Sequence, residues 1–123
     1  MMMTPEELHF MGLKVVYKEL KDKGYEVLQV RNEMDINPQI LAKKENQFIF
    51  VIVKTAYYPH MGLLEPETAA QVAKLAIKHK ALCYFSSIGV ANAKGETEEE
   101  MAKPVTGGEY YINYEGIKPL PIG

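Results

Sequence analysis

Cysteine occurs once, at Cys83, in a chain of 123 residues. A single thiol excludes an internal disulfide and a cysteine-rich zinc site. Cys83 falls in an apolar stretch, where a thiol acts as packing rather than chemistry. No apolar run is long enough to cross a bilayer, which takes about 20 residues. The opening Met1-Met2-Met3-Thr4 lacks the basic region and apolar core of a secretory leader, so the expected location is cytoplasmic. A surplus of basic charge is missing too. The formal net charge is -2, so no global field draws in nucleic acid, and binding it would need a local patch. There is no internal repeat, no low-complexity tract and no phosphate-cradling loop. Gly107-Gly108 lacks the strand-to-helix setting such a loop needs. What remains is a chain 47% hydrophobic and 24% charged, which is enough for one domain over 1–123 with its own core.

The strongest pattern lies in the middle. Gln39-Ile40-Leu41-Ala42 reads as a strand, and Lys43 to Gln47 as a tight polar turn with Asn46 suited to a left-handed conformation. Phe48 to Val53 is β-branched or aromatic at every position and ends in Lys54. A strand apolar on both faces is a central strand with layers above and below it. Upstream, Thr4-Pro5-Glu6-Glu7 opens a helix, with Thr4 as cap, Pro5 at the first position and Glu7 completing a capping box. Leu8, Met11, Val15, Val16 and Leu20 give its apolar face, His9 lies beside that face as a packing residue, and Gly24 stops it. Tyr25 to Val30 reads as the first strand, and Arg31 to Pro38 as a polar connection. Downstream, Ala56 to Leu64 reads as a loop carrying Tyr57, Tyr58 and His60. Glu65 to about Lys80 is a second helix with a small-residue face of Ala69, Ala70, Val72, Ala73, Ala76 and Ile77. Ala81 to Val90 is the next strand, and Asn92 to Lys103 an exposed acidic loop or short helix. A late strand is added at about 109–117, with Pro119 and Pro121 ending the ordered part. The expected class is α/β, in the order α-β-β-β-α-β, with a mixed central sheet flanked by helices on both faces and a core over about 4–90.

Ile40-Leu41-Ala42, the turn, and Val51-Ile52-Val53-Lys54-Thr55 together resemble the core hairpin of the PD-(D/E)XK nucleases, the restriction-endonuclease-like superfamily. The shape is similar to that of the small predicted endonucleases related to Holliday-junction resolvases. In active members, the resemblance implies, an Asp before the first strand and a Glu two residues before the lysine hold magnesium. The lysine then stabilises charge or orients the attacking water. Here the Asp position falls on Gln39 and the Glu position on Ile52, and Lys54 alone is kept. Residues 52 and 54 share a strand face, so an isoleucine stands where a carboxylate should project. Gln39 offers one uncharged oxygen.

The resemblance therefore implies a catalytically inactive restriction-endonuclease-like domain, without metal or cofactor, in which Lys54 is a remnant. It would act as a binding or assembly module and form a homo-oligomer through the small-residue helix or the tyrosine-rich edge near Glu109 to Tyr114. An alternative is a magnesium-dependent nuclease with relocated acids, in which Asp35, Glu65 or Glu67 stands beside Lys54. Asp35 can do so only if the chain folds back around Pro38, since a continuous strand would hold it roughly 13 Å away. Glu6, Glu7 and Glu19 are further acids on the first helix. A third reading is a small-molecule pocket under the Tyr57 to His60 loop. Ser86 and Ser87 lack the partner order of a hydrolase triad.

Overall fold

The computed structural model describes residues 1–121. Helix α1 (Pro5–Asp22) starts where the capping signals lie. The Thr4 hydroxyl accepts from the Glu7 N–H at 3.2 Å, and the Glu7 carboxylate accepts from the Thr4 N–H at 3.0 Å, so two orphan donors are satisfied reciprocally. Its buried face is Leu8, His9, Gly12, Leu13, Val16 and Leu20. Gly12 is there for closeness: a Cβ at that position would stand 1.9 Å from Thr55 Oγ1. The helix consequently lies directly on the central strand.

Three strands follow, β1 (Glu26–Val30), β2 (Ile40–Lys44) and β3 (Gln47–Tyr57). Glu45 and Asn46 link β2 to β3, both with positive φ, at 51° and 69°. Two consecutive left-handed residues give the turn whose twist matches the strands it joins. Helix α2 (Pro66–Lys78) crosses over to β4 (Leu82–Asn92), which therefore runs parallel to β3. After the short α3 (Glu98–Met101), strands β5 (Tyr110–Tyr114) and β6 (Lys118–Leu120) both return antiparallel to β4, one beside each half of it. The result is a six-stranded mixed sheet in the order β1-β2-β3-β4, with β5 and β6 sharing the far edge.

The alternation of β3 divides the core. Ile49, Val51 and Val53 pack with Leu13, Val16 and Leu20 under α1, while Phe50 and Ile52 pack with Val72, Ala76 and Cys83 under α2. The mixed α/β architecture, its element order and its two helical layers are those expected from the sequence. Some boundaries differ. Strand β3 does not stop at Lys54 but runs to Tyr57, because β4 continues alongside it as far as the Tyr57–Val90 pair. Tyr57 thus belongs to the strand rather than to the loop. The late strand is two strands, separated at Gly116, whose φ of 99° is open to glycine. Pro119 lies within β6 rather than ending the ordered chain, and at a sheet edge its missing N–H leaves no ladder bond unmade.

Candidate functional site

β3 outlasts β2 at its C-terminal end. The last β2–β3 pair is Ile40 with Val51, so on that side the β3 backbone beyond Val51 has no strand to bond. A buried N–H left there would cost about 1–3 kcal/mol. Gln39 supplies the missing acceptor: its side-chain oxygen takes the Val53 N–H at 2.7 Å. Its Nε2 shares two hydrogens among three acceptors, the Met34 carbonyl at 3.3 Å, the Ile36 carbonyl at 3.2 Å and Asn37 Oδ1 at 2.6 Å. Gln39 is 0% exposed. One neutral amide therefore extends the ladder of β3 and folds the 34–37 turn back against it.

Lys54 joins the same arrangement. Its Nζ donates to the Met34 carbonyl at 3.2 Å, so Gln39 and Lys54 meet at one backbone oxygen. Burial pulls the Lys54 ammonium below the usual lysine value, and the charges of Glu65 and Asp35 push it part of the way back. The fold-back that Asp35 needed is present. Among the described residues, however, no carboxylate comes within 4.0 Å of Lys54 Nζ, so the ammonium has neighbouring acids but no ion-pair partner. Glu67 is exposed in the first turn of α2. Ile52 is placed differently again. It is 0% exposed and sealed beneath α2 with Phe50, Val72 and Ala76. Among the described residues, no three His, Cys, Asp or Glu side chains stand together as a metal-ligating group.

The acids of α1 have other partners. Glu7 completes the cap and accepts from the Thr106 hydroxyl at 3.0 Å. Glu19 lies about 18 Å further along the helix, where it accepts from the Tyr114 hydroxyl and pairs with Lys23 at 2.7 Å. Glu6 lines a separate groove with Lys14 and Asn32. Ser87 donates to the Gly62 carbonyl at 2.6 Å, which anchors the loop after β3 rather than opening into a site, and Ser86 is fully buried.

Around Lys54 lies a cleft of about 620 Å³. Leu8 and His9 of α1 form one wall, Lys54 to Tyr57 of β3 the floor, and His60 to Leu63 the other wall. That second wall is held close. A Cβ on Gly62 would stand 1.8 Å from the Lys54 carbonyl oxygen, and the Gly62 N–H donates to the Ile88 carbonyl at 3.2 Å. The Tyr57 hydroxyl donates to the Met3 carbonyl at 2.7 Å. Of the three residues read as a reactive loop, Tyr57 and His60 line this cleft. Tyr58 turns toward a neighbouring depression beside β4 and β5, which His60 also touches. A smaller cavity of about 410 Å³ opens on the α2 side between Leu41, Phe50 and Leu75, and Lys54 takes no part in it.

The residue that sequence reasoning undervalued is His9. It is 4% exposed, and among the described residues its Nε2 has no hydrogen-bond partner. Burial holds its pKa below the usual histidine value. The Arg31 main chain and, more weakly, Glu33 oppose this, while the Lys54 charge adds to it. Neutral His9 is therefore favoured in the folded chain, and protonation in the unfolded chain is easier. The contribution is full above the unfolded pKa of about 6.5 and is lost as pH falls toward the lowered folded value. Urea melts between pH 7.5 and 5.5 should show wild type losing stability relative to His9→Phe. Parallel curves for the two proteins would assign the acid sensitivity to other groups. The signal available in the sequence was a titratable residue one position from a strictly apolar helix face.

A family model matches residues 6–120. The chain belongs to the family described as a domain of unknown function (DUF8840). The match runs from the first turn of α1 to the end of β6, so both walls of the cleft, Gln39 and Lys54 all lie within the family's domain. No match is found among curated proteins.

Proposed function

We propose that this chain is a restriction-endonuclease-like domain that does not cleave nucleic acid and works as a binding module. The observation that carries the reading is the hydrogen bonding of Gln39. At the position where the nuclease pattern wants a metal-binding Asp, a neutral amide turns its two N–H bonds toward three oxygens of the 34–37 turn and accepts from β3. The side chain is committed on both of its polar atoms, so neither is free to face a cation. Ile52, at the second acidic position, supports the same reading because it belongs to the α2 core. On this reading no metal or cofactor takes part, and Lys54 keeps a role in binding. Assembly as a homo-oligomer is part of the proposal, through the β5 edge where Tyr111 and Ile112 are exposed, or through α2, where Ala70 and Ile77 are.

The alternative, a magnesium-dependent nuclease with displaced acids, draws on one observation: Asp35 and Glu65 are the carboxylates whose charge reaches Lys54. One experiment separates the two. Purified protein is incubated with single-stranded, duplex and branched DNA and with RNA, in magnesium and in manganese. We expect no cleavage above that of a Lys54→Ala control. Metal-dependent cutting that disappears in Lys54→Ala and in Asp35→Asn would replace this reading with the nuclease.

A further inference from the structure

The cleft beside Lys54 carries an asymmetry of charge. Its described lining includes an ammonium and two imidazoles but no Asp or Glu. Lys54 spends one donor on the Met34 carbonyl, leaving others without a carboxylate in reach among the described residues. The floor adds donors of its own. Val53 turns its N–H toward the side that β2 no longer covers, where Gln39 receives it. By strand alternation the Thr55 N–H faces that same side, and among the described residues no acceptor outside the strand ladder takes it. One polar atom of the α1 wall, His9 Nε2, is buried and among the described residues has its hydrogen-bonding capacity unused, while the unpaired Thr55 Oγ1 of the floor is covered by Gly12 of α1. Buried polar groups in native proteins are normally paired, so His9 Nε2 is open to a polar group of a ligand. The rest of the lining is apolar, from Leu8 and Val53 through Met34 to Met61 and Leu63.

We propose that this cleft binds a small monocarboxylate with an apolar tail, its carboxylate on Lys54 and the Thr55 N–H and its tail between Leu8 and Met61. A single ammonium, with Asp35 and Glu65 close enough to act on it, matches one negative charge better than two. That selects a carboxylate over a phosphate dianion. A volume of about 620 Å³ is in the range of small-molecule sites and exceeds what a bare anion needs. The inference rests on reading the domain as a binding module and names the ligand class for it.

Hexanoate is the probe, with acetate supplying charge without tail and hexanol tail without charge. Each is titrated into isotopically labelled full chain and followed by NMR. We expect saturable binding of hexanoate, with shifts confined to the cleft lining, Leu8, His9, Lys54, Thr55, Met61 and Leu63 among it. From acetate through butyrate to hexanoate, affinity should rise roughly three- to four-fold per methylene. Lys54→Gln should weaken hexanoate at least ten-fold while leaving hexanol unchanged, and Lys54→Arg should stay within a few-fold of wild type. Both variants keep the wild-type spectrum away from the cleft, which separates lost binding from lost fold. Three results would overturn the proposal: no saturation by hexanoate, equal binding of hexanoate and hexanol, or inorganic phosphate binding more tightly than hexanoate at the same residues. Nucleic-acid cleavage by a protein that still binds hexanoate would end the non-cleaving reading alone. Absence of both cleavage and hexanoate binding would end this one alone.

Discussion

Gln39→Glu should destabilise the protein by about 3–5 kcal/mol at pH 8 and by far less near pH 4. The substitution changes one nitrogen to one oxygen and leaves the shape intact. It also places an acid at the position where the nuclease pattern has one. The amide nitrogen now shares its two hydrogens among the Met34 and Ile36 carbonyls and Asn37 Oδ1. A carboxylate there would face three acceptors at hydrogen-bonding distance, fully buried, with only Val53 offering a proton. Burial and facing oxygens both raise a carboxyl's pKa, so the folded state would favour the protonated acid. Below the unfolded value of about 4.3 the acid is protonated in both states. It then donates once, as a poorer copy of the amide. As pH rises from there toward the raised folded value, the penalty grows by about 1.4 kcal/mol per pH unit. Denaturant melts of wild type and variant at matched pH values measure this difference directly. A pH-independent gap would mean that the turn opens and lets water reach the carboxylate. A variant as stable as wild type at pH 8, with a divalent ion bound at that carboxylate, would overturn the structural assignment of Gln39.

That result bears on what the sequence could reveal. The helix start at Thr4, the hairpin turn at Asn46 and the doubly apolar β3 were legible because each depends on neighbours within a few residues. The capping box, two left-handed residues and β-branched runs are local chemistry. The extent of β3 was not local. It runs to Tyr57 because β4, some 30 residues later, supplies partners that far. The same holds at the site. Spacing alone put residues 52 and 54 on one face and left Gln39 as an uncharged oddity. It could not show that β2 ends one pair too soon, so that a side chain must complete its ladder. Nor could it show that the turn before Pro38 folds back, or that Met34, an unremarkable loop residue, presents the carbonyl on which Gln39 and Lys54 meet. His9 reads from the sequence as a packing residue and no more, for a related reason. Its importance comes from burial against β3 and from Lys54, 45 residues away, and neither is written into the helix that carries it.

Ile52→Glu is expected to have the larger effect, abolishing the cooperative fold at neutral pH. Ile52 is fully buried between β3 and α2, with Phe50, Val72, Ala76, Ala81 and Cys83 around it. None of these side chains carries a charge that could pair with a carboxylate. An unpaired buried acid costs several kcal/mol even after it takes up a proton, and the lost isoleucine packing adds about 2–5 kcal/mol. A domain of this size holds roughly 6–18 kcal/mol in total, so one substitution removes much of it. Circular dichroism melts and proton NMR dispersion would report the loss, and Ile52→Val, expected to cost about 1 kcal/mol, controls for position. Together with Gln39→Glu this sets a stronger condition than inactivity. If the two acidic positions of a nuclease hairpin have been taken over by the core and by a backbone ladder, restoring the acids should unfold the chain before it can bind metal. A folded Gln39→Glu, Ile52→Glu double variant that cuts DNA in magnesium would show instead that the site is dormant and that only its ligands are missing.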